Sequence, residues 1–166
     1  MRYWVGGLIA FVLALVQASS VQQFHILGVV PNLLLVLLTA WLVVRGLDDV
    51  LPMIGVAGIS LGLIGLQAPG LVLLALLPLA GLGVIRELRV VHSDFLLFLV
   101  LVAAATVFYE SVMVLGVMLA GGGHDLVAAF TRDMVPATAV NVAIAPPVYL
   151  VMRLARPYPR GRRLSY

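Results

Sequence analysis

Two polar side chains that could carry chemistry interrupt the long apolar stretches of this chain: Glu110, which lies between Tyr109 and Ser111, and Asn141. An ionisable group inside a membrane-spanning segment is costly, and it is therefore a candidate functional residue by default. A lone carboxylate there must be protonated or find a donor, and Asn141 and Arg132 are its nearest candidate partners. We expect Glu110 to hold neighbouring helices together, to contact another protein or to line a small-ligand pocket.

Patterns typical of enzymes are present, but each lacks the groups that its chemistry needs. The string from Gly58 to Gly62 matches the G-x-S-x-G motif of serine hydrolases, whose serine stands on a strained turn between a strand and a helix. Here Ser60 lies in an apolar helical stretch instead. His124 and Asp125 would supply only two ligands to a metal ion. We therefore predict no catalytic residue, no metal site and no cofactor.

Paired intramembrane carboxylates, as in aspartyl signal peptidases, are also not expected. Every aspartate falls in a break between apolar stretches: Asp48, Asp49, Asp94, Asp125 and Asp133. Glu110 alone would not form a proton or ion relay, because a relay needs several titratable groups.

The composition is that of a chain that lies almost entirely in a membrane. It is 63% hydrophobic and 10% charged, against roughly a quarter charged in an ordinary soluble domain. The absence of cysteine from the sequence excludes disulfides and thiolate metal sites. A basic tail carries five of the ten arginines: Arg153, Arg156, Arg160, Arg162 and Arg163. Because it follows an apolar run directly, it predicts contact with anionic membrane lipids and not with nucleic acid.

Six apolar stretches approach the length of about 20 residues that a spanning helix needs. The predicted helices are Tyr3–Ser20, Gly28–Val44, Val50–Leu66, Gly70–Ile85, Phe95–Leu119 and Val135–Met152. None of them has a charged face, so each is expected to be buried or to face lipid. The third and fourth are short and closely spaced, so whether both cross completely stays open.

The arginines orient these six segments. With a cytoplasmic N-terminus and six crossings, Arg132 alone lies outside, and the other basic residues are cytoplasmic: Arg2, Arg45, Arg86, Arg89 and the five of the tail. An excess of basic residues on the cytoplasmic side is the usual bias. We therefore predict an all-α polytopic membrane protein, a bundle of six transmembrane helices with both termini cytoplasmic. Residues 1–156 form its single domain, and residues 157–166 form the basic cytoplasmic tail.

Small residues recur at helical spacing in two of the segments. The first-helix ridge consists of Gly6, Ala10, Ala14 and Ala18, and the third-helix ridge consists of Gly55, Gly58, Gly62 and Gly65. Small side chains let helix backbones approach closely, which favours helix association in lipid. Each ridge is expected either to pack inside the bundle or to receive the transmembrane helix of a partner. A groove around the fifth and sixth predicted helices is a further candidate for that partner.

Prolines and further polar residues mark the second and sixth predicted helices. Pro31-Asn32 predicts a helix start with proline in the first turn. The pair Pro146-Pro147 frees backbone carbonyls that neighbouring groups must satisfy, and we expect Asn141 to supply these hydrogen bonds. Four polar residues near the outer face are expected to be solvated: Gln17, Gln22, Gln23 and His25.

Over nearly its whole length the chain resembles the rod shape-determining protein MreD family, in its size, its six closely spaced spans and its cytoplasmic ends. The most specific stretch is Pro31–Val36, because the family opens its second span with proline, a small polar residue and aliphatics. The exit of that span, from Trp41 to Arg45 and Gly46, is also typical. The last span resembles the family in four residues: Pro136, Asn141, Pro147 and Arg153. Gln67 departs from the pattern, since the family often has an aspartate there.

This resemblance implies a non-enzymatic scaffold of the bacterial cell-elongation complex in the cytoplasmic membrane. It implies binding to the bitopic protein MreC, and action with RodA, a class B penicillin-binding protein and the MreB filament in rod shape and lateral peptidoglycan synthesis. It also implies a fold similar to the substrate-binding S components of energy-coupling-factor vitamin transporters.

The alternative function is such an S component, in which an alanine face on the first helix docks the coupling subunit. Ala10, Ala14 and Ala18 could supply that face. An S component also needs polar residues around a ligand cavity, and the sequence offers little beyond Glu110 and Asn141. The expected cavity is therefore poor, which favours protein binding.

Overall fold

Helices make up almost all of the chain that the computed structural model describes, which is residues 2–19, 25–26, 28–65, 67–87, 93–121 and 126–155. Within these residues the elements are α1 (Arg2–Ser19), α2 (Leu33–Arg45), α3 (Leu47–Ile64), α4 (Pro69–Leu76), α5 (Pro78–Glu87), α6 (Asp94–Leu119), α7 (Leu126–Ala129), a π-helical segment (Phe130–Met134) and α8 (Val135–Leu154). An isolated β-bridge joins Ile26 and Val29 before α2. The predicted all-α class is confirmed.

Each of the six apolar stretches is helical, and the fourth forms two helices. The expectation of one helix over Gly70–Ile85 is corrected, because Leu77 separates α4 from α5. Pro78 has no backbone N–H and cannot donate to the carbonyl of Leu74, so the helical ladder is interrupted at this point.

Three described helical stretches are long and apolar enough to cross a membrane: Leu47–Ile64, Asp94–Leu119 and Phe130–Leu154. The other three apolar stretches are shorter, at Trp4–Ser19, Leu33–Arg45 and Pro69–Val84. At 1.5 Å per residue, the 13 residues of α2 extend for about 20 Å, which is less than the hydrocarbon core of about 30 Å. A crossing at α2 would therefore need additional backbone beyond the helix.

The shortest of these stretches, α2, lies at the centre of the molecule. Nine of its 13 residues are buried, and it contacts α1, α3, α5, α6 and α8. Leu34, Leu38 and Leu42 belong to a hydrophobic cluster with α1, α3 and α4. Val36 and Ala40, on another side of the helix, belong to a second cluster with α6 and α8. A helix that is apolar all round can be buried in this way.

Both ends of α2 are set by residues that the sequence marks. The helix begins at Leu33, later than the predicted Gly28, and Asn32 is its N-cap. Pro31 therefore precedes the helix and does not occupy its first turn, which corrects the expectation. At the other end Gly46 has a φ of 107°, a left-handed conformation that favours glycine. This residue alone joins α2 to α3.

The first-helix ridge packs inside the bundle against α3. Ala10 and Ala14 have no exposed surface, and a Cβ built on Gly6 would lie 3.3 Å from the Cγ atom of Met53. Ala18 is partly buried against the hydrophobic cluster that α2 forms with α1, α3 and α4. Because Gly6, Ala10 and Ala14 are buried, these three residues offer no free surface to a partner helix or a coupling subunit. The opposite face of α1 is exposed: Trp4, Val5, Leu8, Phe11, Val12, Leu15 and Val16.

Two glycines of the third-helix ridge allow α4 to lie directly against α3. A Cβ on Gly58 would lie 3.0 Å from the Cα of Leu73, and a Cβ on Gly62 would overlap the Cα and Cβ of Pro69. Backbone therefore meets backbone in this hairpin, as small residues permit. Gly55, on the same helix, has no atom within 4 Å of a built Cβ.

We predict that Gly62→Ala lowers the free energy of unfolding by about 1–3 kcal/mol, because the added methyl group must push Pro69 away. Gly55→Ala is the matched control, and it should be neutral or slightly stabilising because alanine favours helix. The measurement is unfolding of the purified protein in detergent micelles. Equal stability of the two variants would contradict the close α3–α4 contact.

Candidate functional site

A cluster of four polar side chains joins α1, α2, α6 and α8, and we call it the polar cap: Gln17, Asn32, Thr106 and Asn141. Asn141, on α8, accepts a hydrogen bond through Oδ1 from the backbone N–H of Asn32 at 2.8 Å. Its Nδ2 atom donates to the Thr106 hydroxyl, on α6, at 3.1 Å. Asn141 is 1% exposed and Thr106 is also buried. Because burial strengthens such bonds, this pair holds α8 to α6 and to the start of α2.

Gln17 connects α1 to the same point. Its Nε2 atom donates to the carbonyl of Pro31 at 3.0 Å, and its Oε1 atom accepts from the N–H of Leu34 at 3.4 Å. The side chain is buried, with 8% of its surface exposed. The expectation that Gln17 is solvated is therefore corrected. His25 is exposed as expected, whereas Gln22 and Gln23 lie outside the described residues.

The polar cap provides hydrogen-bond partners for backbone groups at the start of α2, namely the carbonyl of Pro31 and the N–H groups of Asn32, Leu34 and Leu35. The Oδ1 atom of Asn32 accepts from the N–H of Leu35 at 3.0 Å, as an N-cap residue does. Together with the hydrogen bonds of Gln17 and Asn141, this bond from Asn32 provides partners for backbone groups at and just before the start of α2. Such groups have no partner within their own helix and are costly to bury unpaired.

A cavity of about 310 Å³ lies beside the polar cap, and we call it the cap cavity. Its walls come from α1, the stretch before α2, the α3–α4 connection and α6. The lining residues are Gln17, His25, Val30, Asn32, Leu61, Gly65, Gln67, Tyr109 and Glu110. The cavity is therefore richer in polar groups than the sequence predicts, because residues far apart in the chain converge on it.

Glu110 lies in the wall of the cap cavity and is half-buried. Neither expected partner reaches it: among the described residues, no hydrogen bond or ion pair joins its carboxylate to Asn141 or to Arg132. The amide of Asn141 is already bonded to Asn32 and Thr106, and the Arg132 side chain is exposed. The charged group that acts on Glu110 is a second acid, Asp133.

The prolines of α8 lie at two different places. Pro136 stands in the first turn of the helix, where its missing N–H costs least. Pro146 and Pro147 lie inside a helix that continues through them. The carbonyls that they leave without a helical donor belong to Val142 and Ala143. The hydrogen bonds of Asn141 do not go there, so the role expected for this residue is corrected.

A second concave surface, which we call the apolar groove, lies between α2 and α8. It has a volume of about 230 Å³, and the described residues that line it are all apolar: Leu37, Pro147, Val148, Val151 and Met152. Pro147, Val148 and Val151 follow helical spacing on α8, so they form a continuous strip on one side of that helix. This groove lies on the last of the predicted spans, but α2 and not α6 forms its other wall, so it differs from the groove around the fifth and sixth predicted helices that the sequence suggests.

Within the part of the chain that the structure describes, the remaining candidate residues do not assemble into a reactive site, and His124 and Asp125 lie outside that part. Ser60 lies in the interior of α3, and not on the strand-to-helix turn that the hydrolase motif requires. Among the described residues, no group of three His, Asp or Glu side chains could hold a metal ion. In the basic tail, Arg153 is exposed at the end of α8, and the other four arginines lie outside the described residues.

The sequence analysis does not place three residues of this region at a common site, namely Gln17, Gln67 and Tyr109. A signal exists for Gln17, because an amide inside an apolar helix must find partners when it is buried. Gln67 and Tyr109 carry no such signal, since only the tertiary structure brings them to the cavity.

Comparison of the chain with protein-family models, with curated proteins and with solved structures gives no match. The resemblance to the MreD family therefore rests on the residues quoted above.

We predict that Asn141→Leu lowers the free energy of unfolding by about 1–3 kcal/mol, because it leaves the buried N–H of Asn32 without a partner. Thr138→Val is the matched control on the same helix. Its hydroxyl bonds the Met134 carbonyl of its own helix, so this change should stay within about 0.5 kcal/mol. Unfolding in detergent measures both variants. A loss of the same size in the control would argue against a specific contribution of the polar cap.

Proposed function

We propose that this protein is a non-enzymatic membrane scaffold of the bacterial cell-elongation complex, of the MreD type. One observation carries the proposal. Pro31, Asn32 and Asn141, which carry much of the resemblance, meet at the polar cap, although 109 positions separate the two asparagines. The residues that carry the resemblance thus share one structural task. This convergence supports the family resemblance.

We further propose that the chain crosses the cytoplasmic membrane six times, with both ends in the cytoplasm. Non-helical backbone at membrane depth is tolerated where protein groups satisfy it, and the polar cap bonds the carbonyl of Pro31 and the N–H of Asn32 in the stretch before α2. The short helix α2 can thereby complete a crossing together with this stretch. In this orientation the cap cavity faces outward, and Arg45 and Arg153 face the cytoplasm, as the basic-residue bias favours.

The partner of the apolar groove is, in this proposal, the single transmembrane helix of MreC. Pro146 and Pro147 are exposed and leave two carbonyls without helical donors next to the groove. Lipid tails cannot donate hydrogen bonds to them, whereas a polar side chain on an adjacent helix can. A protein helix therefore suits this surface better than lipid alone. RodA, the class B penicillin-binding protein and the MreB filament would join through the larger complex.

A second candidate function is the S component of an energy-coupling-factor vitamin transporter. The cap cavity favours it, because its polar lining is richer than the sequence predicts. The covered first-helix ridge opposes it, because the alanine face that would dock a coupling subunit is packed against α3. Saturable, nanomolar vitamin binding by the purified protein would decide for this second function.

Depletion of the protein in its own host should stop the insertion of new peptidoglycan along the lateral wall, while septal insertion continues. The reason is that a scaffold of the elongation complex serves lateral synthesis alone. Labelling of nascent wall with fluorescent D-amino acids measures this directly. Unchanged lateral labelling after depletion would argue against the proposed role.

We predict that Val151→Trp lowers co-purification with the MreC of the same genome at least about tenfold, a loss of about 1.4 kcal/mol. Val151 is 64% exposed, so tryptophan should fill the groove without disturbing the fold. Val12→Trp, on the exposed face of α1, is the matched control and should leave co-purification unchanged. The reverse result would move the MreC contact to α1, and no effect of either variant would remove both surfaces from the proposal.

A further inference from the structure

Among the described residues, no basic side chain forms an ion pair with Glu110 in the cap cavity, not even His25, which also lines it. Glu110 lies in α6, nine residues before its end at Leu119, which corresponds to about 14 Å along the helix axis. A carboxylate at such depth in a membrane protein needs a counter-charge or a proton. None of the described residues that line the cavity is arginine, and the sequence contains no lysine. Asp133 adds further negative charge to this region.

We propose that the cap cavity binds a small organic cation, a ligand with an ammonium or guanidinium group, and that the Glu110 carboxylate is its counter-ion. The volume of about 310 Å³ is at the lower end of the range of about 300–1,000 Å³ that ligand pockets occupy. The same carboxylate disfavours an anionic ligand, because like charges repel. This site goes beyond the scaffold role and does not depend on it.

The other lining groups complement a cation. Tyr109 supplies an aromatic ring, and aromatic faces attract ammonium and guanidinium groups. Gln67 is exposed at the cavity, so its side-chain carbonyl can accept a hydrogen bond from the ligand.

Gln17 and Asn32 form a rigid wall, since their side chains are hydrogen-bonded to backbone groups. A preformed wall lowers the entropy cost of binding. The cation would thus meet the Glu110 carboxylate, the Gln67 amide and the Tyr109 ring beside a wall that is already held in place.

The test uses the full chain in nanodiscs of phosphatidylglycerol, titrated with n-butylammonium and n-butylguanidinium and monitored by calorimetry and thermal unfolding. Both cations should bind saturably and raise the unfolding temperature, whereas n-butanol and butyrate should not. A second set of nanodiscs containing phosphatidylethanolamine distinguishes a lipid ammonium group from a soluble one. If the lipid raises the unfolding temperature and competes with the soluble cations, the ligand in the cell is the lipid amine.

Glu110→Gln should weaken cation binding at least about tenfold, because it removes a charge-assisted hydrogen bond. Asp94→Asn, an exposed position at the other end of α6, is the matched control and should change affinity less than about twofold. Gln67→Leu should weaken cation binding severalfold. Because Gln67 is exposed, this change should not affect folding, and the variant tests the site even if Glu110→Gln fails to fold.

Three outcomes would overturn the proposal. These are equal binding of n-butanol, unchanged affinity in both cavity variants, or no response to either the soluble cations or the lipid amine. None of these results bears on MreC co-purification, so failure of the cation site and failure of the scaffold role are distinguishable.

Discussion

The structure depends on the hydrogen bonds that side chains make to the backbone at the start of α2. A helix start exposes N–H groups that have no partner in their own helix, and burying them unpaired costs about 1–3 kcal/mol each. Here the start of α2 lies inside the molecule, and side chains from α1 and α8 provide the partners. Gln17, Asn32 and Asn141 therefore fix the positions of three helices with a few directional bonds. Apolar packing alone would not define these positions so narrowly, because it is non-directional.

Around that point, the buried helix α2 organises the packing. Leucines such as Leu34 and Leu38 pack with α1, α3 and α4, while Val36 and Ala40 pack with α6 and α8. The outer helices then approach one another where small residues permit it. At Ala14, α1 packs against α3, and at Gly62, α3 packs against the backbone of Pro69. Small residues therefore serve the internal contacts of this chain, and larger apolar side chains form much of its exterior, as at Trp4 and Leu8 on α1.

The polar cap also links the fold to the proposed roles. Gln17 and Asn32 cap α2 and at the same time form one wall of the cap cavity. Any ligand in the cavity would touch the groups that hold α1 and α2 together. The apolar groove lies on the same central helix, at Leu37, and on α8. A partner helix in the groove and a cation in the cavity would therefore contact two parts of one packed unit, and each would stabilise the arrangement that it binds.

The sequence by itself determined the helical class and the approximate positions of the six apolar helices, because long apolar runs have few alternatives to helix. It also marked the break at Gly46, and it marked Gly58 and Gly62 as positions of close helix approach. Tertiary structure alone decided that Asn141 bonds Asn32 and Thr106, that Gln17 is buried, and that Gln67 and Glu110 line one cavity. Each of these contacts joins residues far apart in the chain, and local spacing carries no information about which distant group will satisfy a buried polar atom.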